Sequence, residues 1–219
     1  MTELIVIRHG ETAWNVEHRW QGQTDVPLNA TGHAQAAALA ARVAADPGDV
    51  LYSSDLTRAM QTAAPLAAAW GQTVRPVPGL REQGFGLFEG LTARAIQREH
   101  PALWLEWLSH RADFGLPGGE SLAQVSARVL DAVAQIAARH PRQRVVIVTH
   151  GGVLDTLWRH AHGLPLSGLR ECLIPNTGVN RLRFGDGRLY VDGWADDAHL
   201  GDASLKASTT VAASGVSMP

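Results

Sequence analysis

The stretch Leu4-Ile5-Val6-Ile7-Arg8-His9-Gly10-Glu11-Thr12-Ala13-Trp14-Asn15 decides the fold. Its unbroken, largely β-branched run reads as a short strand covered on both faces, the kind found inside a parallel sheet. The run stops at an arginine and a histidine, and a glycine follows. In open α/β sheets ligands bind beyond the carboxyl ends of the strands, so polar side chains at such an end are candidates for a site. A second run of the same kind, Val145-Val146-Ile147-Val148-Thr149, also ends in a histidine, His150. If the two strands are neighbours, two histidines and an arginine converge on one point. That convergence is unfavourable unless an anion joins it.

Working outward, weaker strands are expected at Val50 to Tyr52 and Thr73 to Val77. Asn180 to Phe184 and Arg188 to Asp192 alternate around Gly185-Asp186-Gly187, as a hairpin does. Helices are expected between them: Gly32 to Ala45, Asp55 to Trp70, Ser121 to Arg139 and Gly152 to His162. In the third, Leu122, Val125, Val129, Val133 and Ile136 share one face, and Ser121 with Gln124 spells a capping box. Strands alternating with helices predict a three-layer α/β/α sandwich with a mainly parallel sheet, one domain over residues 1–202. Residues 86 to 118 read as a small helical insertion: a short helix, Pro101, the segment Ala102-Leu103-Trp104-Leu105-Glu106-Trp107-Leu108, then a turn at Pro117-Gly118-Gly119. Trp104, Leu105, Trp107 and Leu108 either form an apolar lid or pack the insertion onto the domain. Residues 203–219 are small and polar and read as a flexible tail.

The 219-residue chain is 45% hydrophobic, enough for a sizeable core, and carries a net charge of −2. That balance gives no reason to expect a nucleic acid or an anionic membrane as partner. The single cysteine, Cys172, rules out an intramolecular disulfide and fits a reducing compartment. No apolar run is long enough to span a bilayer, so the expectation is a cytoplasmic protein.

Helix N-termini behind the two strand ends add unpaired N–H groups and a positive dipole end. Arg58, about one turn into a helix starting near Ser54-Asp55, can face the same crevice. Two arginines, two histidines and helix N-termini describe a pocket for a tetrahedral dianion, most simply a phosphoryl group.

The motif Arg8-His9-Gly10-Glu11-Thr12-Ala13-Trp14-Asn15 resembles the signature of the histidine phosphatase superfamily, the phosphoglycerate mutase-like proteins. The resemblance continues through "PLNATGHAQAAALA", "YSSDLTRAMQTA", "LREQGFGLFEGL", "PGGES" and "VVIVTHGGVL", covering roughly residues 3 to 165 in order. It implies that His9 is the nucleophile, taking the phosphoryl group as a phosphohistidine. It implies that Arg8, Arg58 and His150 hold the phosphoryl oxygens and that Glu82 gives the leaving oxygen its proton. Asn15, Gln21, Gly22 and Gly151 would line the substrate pocket, and Ser53 or Ser54 would orient the histidines. The partner expected is a small-molecule phosphate ester, and a homodimer remains open.

These assignments make chemical sense. Imidazole is nucleophilic only when neutral, and nearby arginines disfavour imidazolium. Its second ring nitrogen needs an acceptor to fix the tautomer, and the Gly10 carbonyl is the natural candidate. Preorganised donors stabilise charge on the equatorial oxygens of the transition state. No metal-ligand set is expected: His160 and His162 do not share a helix face, and cationic side chains supply what a metal would. No cofactor is expected either.

The family contains phosphatases and mutases. Cofactor-dependent mutases carry E-R-H-Y-G where this chain has Glu82-Gln83-Gly84-Phe85-Gly86, and a longer basic insertion where His110 to Glu120 is short with Arg111 as its obvious cation. Both departures favour a metal-independent phosphomonoesterase. The alternatives are a cofactor-dependent phosphoglycerate mutase and an inactive phospho-ligand binding module.

Overall fold

The computed structural model describes residues 1–201, so the tail expected at 203–219 lies outside the described residues. The strands are β1 (Thr2–Arg8), β2 (Val50–Ser53), β3 (Val74–Pro76), β4 (Arg144–Thr149), β5 (Val179–Gly185) and β6 (Arg188–Asp196). The helices are α1 (Ala13–Val16), α2 (Ala30–Val43), α3 (Thr57–Trp70), α4 (Ala93–Glu99), α5 (Pro101–Trp107), α6 (Leu122–Arg139) and α7 (Gly151–His162). The strands form one sheet in the order β3-β2-β4-β1-β5-β6. β3, β2, β4 and β1 run parallel, and β5 and β6 extend the sheet antiparallel.

Alternation along the central strands makes the three layers. Leu4, Val6, Val145 and Ile147 face one way and pack with Val125, Val129, Val133 and Ile136 of α6 and Val153, Leu154 and Leu157 of α7. Ile7, Val146 and Val148 face the other way, against Leu39 of α2 and Ala59, Ala63 and Leu66 of α3. Each large side chain so buried contributes roughly 1.5–3 kcal/mol. The two strongest strands therefore have no polar face, and Arg8 and His150 mark where the apolar runs give way to polar side chains. The α/β/α sandwich with a mostly parallel sheet is as expected.

Helix starts differ from the sequence reading for local reasons. α2 begins at Ala30 because Asn29 caps it, accepting the Gly32 N–H at 2.8 Å. α3 begins at Thr57 rather than Asp55. Ser54 N–H is still bonded to the Val148 carbonyl at 2.9 Å, and Asp25 from another loop takes the Thr57 N–H and hydroxyl. α6 carries the expected capping box between Ser121 and Gln124. β5 and β6 meet at Asp186 and Gly187, both at positive φ, as a tight hairpin turn requires.

Between residues 86 and 118, α4 and α5 enclose a small apolar cluster of Phe88, Ile96, Trp104 and Leu116. Trp20 and Trp107 stand edge-on to Phe85 there, with ring centroids 4.8 and 5.6 Å away. Trp104 is 6% exposed and Leu105 is 71% exposed, so the two do not share one lid-like surface.

Candidate active site

β1 and β4 are adjacent and in register, Arg8 opposite Thr149. The His9 N–H donates to the Thr149 carbonyl at 2.8 Å, which carries the strand pairing one residue past Arg8. His9 and His150 therefore emerge side by side, with ring centroids 5.2 Å apart. Both are buried, at 3% and 0% exposure.

The ring nitrogens of His9 have distinct states. Nδ1 lies 2.7 Å from the Gly10 carbonyl, and a carbonyl can only accept, so Nδ1 carries the proton. Nε2 keeps a free lone pair. Burial, and then the charges of Arg58 and Arg8, hold the His9 pKa well below the usual 6.5, against the opposing pull of the Gly10 bond. Gly10 is itself fixed: its N–H donates to Thr62 Oγ1 at 2.9 Å, and that hydroxyl donates to the Arg58 carbonyl at 2.7 Å. A side-chain carbon on Gly10 would meet the Gly32 carbonyl oxygen at 2.6 Å, so the close approach of β1 to α2 requires glycine here.

His150 is oriented by Ser54, which resolves the choice between Ser53 and Ser54. Ser54 Oγ accepts the Leu56 N–H at 3.3 Å and lies 2.8 Å from His150 Nε2. Its own proton has no other acceptor among the described residues, so it is directed at Nε2. This leaves His150 Nδ1–H as a buried donor without a partner. Desolvation, followed by Arg58, keeps the His150 pKa well below 6.5.

The two arginines are held by backbone carbonyls. Arg58, fully buried in the first turn of α3, donates to Thr24 O at 2.9 Å and Gly22 O at 2.6 Å. Arg8 donates to Ile174 O at 2.7 Å. In both, the buried Nε–H has no partner. Desolvation lowers each pKa to about 10; for Arg8 the charge of Arg170 adds to the effect. Two guanidinium groups kept charged, that of Arg58 buried and that of Arg8 half-buried, and without carboxylate partners, form a site with unfilled demand for an anion.

Glu82 faces this group from the other side. Its two carboxylate oxygens accept the Gly152 N–H at 3.0 and 3.1 Å, and Oε1 also takes the Gln83 N–H at 2.9 Å. The loop that carries it is fixed by α6: Arg128 donates to the carbonyls of Gly79, Arg81 and Glu82 and pairs with Glu120 at 2.8 Å. Thr149 Oγ1 donates to Leu80 O at 2.7 Å, tying the loop to the end of β4.

The remaining expected residues fall nearby. Thr12 Oγ1 lies 3.1 Å from Asn15 Oδ1 and 3.0 Å from Gln21 Oε1, so its proton serves those amide oxygens. Neither amide NH₂ has a partner among the described residues. Gly22, at φ +54°, contributes its carbonyl to Arg58 and so acts on the site through that side chain. Gly151 opens α7 directly beside His150.

Sequence reasoning missed three contributors. Asn176 Nδ2 donates to the His9 carbonyl at 2.9 Å, and Thr177 N–H to the Arg8 carbonyl at 3.0 Å. Arg170 lies beside Gly151. All three sit in the irregular segment between α7 and β5, where no periodicity marks a residue as facing the sheet ends. Among the described residues no cluster of three or more His, Cys, Asp or Glu could hold a metal ion, and no helix is long and apolar enough to cross a membrane.

A family model, the histidine phosphatase superfamily (branch 1), matches residues 4–197. The chain belongs to this superfamily. Among curated relatives in it, a metal-independent phosphoserine phosphatase of Arabidopsis thaliana is 37% identical over 203 residues, 91% of this chain and 84% of that one. The phosphoglycerate mutase-like protein 4 of the same plant is 38% identical, over 90% of this chain and 86% of its own. Among solved structures of superfamily members, a mycobacterial glucosyl-3-phosphoglycerate phosphatase in complex with VO3 superposes with a TM-score of 0.76 at 32% identity, covering 89% of this chain and 99% of that one.

Proposed function

We propose that the protein is a metal-independent phosphomonoesterase that works through a phosphohistidine on His9. The observation that carries this is the fixed tautomer of His9, whose bare Nε2 stands among unpartnered N–H groups of Arg8, Arg58 and His150. Nε2 attacks phosphorus in line, the P–O ester bond breaks, and Glu82 gives its proton to the departing oxygen, which leaves as an alcohol. A water then attacks the phosphohistidine, Glu82 takes its proton, the P–N bond breaks and inorganic phosphate leaves. Arg8, Arg58 and the Nδ1–H of His150 stabilise the equatorial oxygens in both steps. The amide groups of Asn15 and Gln21 add donors at the rim.

Hydrolysis is favoured over mutase transfer by what occupies the segment after Glu82. Gln83, where the mutases have arginine, is buried and donates to the Glu120 carbonyl at 2.9 Å. Phe85, where they have tyrosine, packs against Trp20 and Trp107. Arg111 is spent on the surface against Asp113 at 2.9 Å. The names of the phosphatase relatives and the vanadate-bound neighbour agree with this reading.

The test is acid-quenched labelling with a radioactive phosphate ester, alongside a panel of monoesters and 3-phosphoglycerate with and without 2,3-bisphosphoglycerate. Wild type should give an acid-labile, base-stable phosphoprotein and release free phosphate, and His9→Ala should do neither while remaining folded. A His9→Ala protein that still labels, or a wild type that only interconverts phosphoglycerates, would sink the proposal.

A further inference from the structure

The geometry points to Arg170 as a residue that selects phosphate esters bearing a carboxylate a few bonds from the ester oxygen. This rests on the phosphomonoesterase reading and names the substrate class of that same site.

Arg170 is presented by a braced loop. Arg159 of α7, 4% exposed, donates to the carbonyls of Pro165, Ser167, Gly168 and Leu169 at 2.6–3.1 Å. On the far side Trp194 Nε1–H donates to the Leu173 carbonyl at 2.8 Å. The guanidinium between these anchors makes no hydrogen bond among the described residues, and its Nε is buried without a partner. The carboxylate nearest to it, Asp155, is 3.7 Å away and already receives Arg159 at 3.0 Å. An arginine preorganised beside a reactive centre, sharing a carboxylate at 3.7 Å but making no hydrogen bond, is a binding element for a planar anion.

Its position sets which part of a substrate it meets. A side-chain carbon on Gly151 would touch Arg170 Nη1 and Glu82 Oε2 at 3.7 Å each. The guanidinium and the Glu82 carboxylate therefore flank the same glycine without forming an ion pair. Glu82 serves the leaving oxygen, so Arg170 borders the leaving group rather than the phosphoryl oxygens.

The experiment compares phosphoserine with phosphoethanolamine, which lacks only the carboxylate, and with p-nitrophenyl phosphate as a general probe. It uses wild type, Arg170→Met and Arg170→Lys, each checked for an unchanged melting temperature. In wild type kcat/KM should favour phosphoserine over phosphoethanolamine. That ratio should fall roughly 10- to 100-fold in Arg170→Met, mostly through KM, and recover in part in Arg170→Lys. Equal losses on both esters, an unchanged ratio, or a wild-type ratio near one would each overturn the assignment while leaving the phosphatase reading intact. A wild type that hydrolyses none of the three, p-nitrophenyl phosphate included, overturns the phosphatase reading and this inference with it.

Discussion

Replacing Gly152 by alanine isolates the contribution of Glu82 without touching Glu82. A Cβ at Gly152 would collide with Glu82 Oε1 and lie 3.3 Å from Glu82 Cδ. The carboxylate is the free end of a flexible side chain, so it swings away and the helix backbone stays. Alanine is favoured over glycine within a helix by up to about 1 kcal/mol. Displacing a charged acceptor from the Gly152 N–H costs roughly 1.5–3 kcal/mol where the bond is well formed, and less at this half-buried site. The net stability change should stay within about 2 kcal/mol, so the fold survives. Catalysis is another matter: with the proposed general acid out of reach, turnover of an alkyl phosphate, whose alkoxide needs the proton, should fall roughly 10²–10⁴-fold. p-Nitrophenyl phosphate, with an acidic leaving phenol, should lose less than about tenfold. The assay is a steady-state cycle of wild type, Gly152→Ala, Glu82→Gln and the double variant on both esters. If both changes disable one group, the double variant is about as slow as either single variant. Gly152→Ala at wild-type rate on the alkyl ester, or losses that simply multiply, would refute the reasoning.

Two further outcomes follow from the charges around the site. The depressed pKa values of His9 and His150 mean that the native state keeps both neutral as pH falls through 6.5, where the unfolded chain takes up protons. Native stability should therefore drop below about pH 6.5, by up to roughly 1.4 kcal/mol per pH unit for each ring; an NMR titration of the free protein showing His9 protonating near 6.5 would contradict this. Vanadate should compete better than phosphate, with chelators leaving turnover unchanged, and Arg58→Ala should weaken vanadate binding and kcat/KM together by roughly 10²–10³-fold. Activity that vanishes with EDTA and returns with a divalent ion would defeat the metal-free mechanism.

How much of this was legible in the sequence depended on whether a feature is local. The β-branched runs at Leu4 and Val145 announce buried strands, and both end on the histidines that meet in the structure. The carbonyl partner of His9 could be named because it is the next residue. Ser54 could not be separated from Ser53, because the choice depends on which side chain β2 turns toward a strand distant in the chain. α3 starts later than its local sequence suggests because Asp25, far away in sequence, accepts the Thr57 N–H. Arg170, Asn176 and Thr177 left no trace, since a loop reveals its direction only through the anchors at its two ends.

The turn at Asn176-Thr177 has a consequence for how the molecule is made. It holds the carbonyls of Arg8 and His9, and β5 immediately after it covers the open edge of β1. Exposed strand edges are poorly defined until they are paired. A nascent chain that has emerged from the ribosome through α7 already contains His9, Arg58, Glu82 and His150, yet the strand end bearing His9 is still unclamped. Order at the strand end bearing His9 therefore waits on a segment distant in the chain, the turn at Asn176-Thr177 and the strand that follows it.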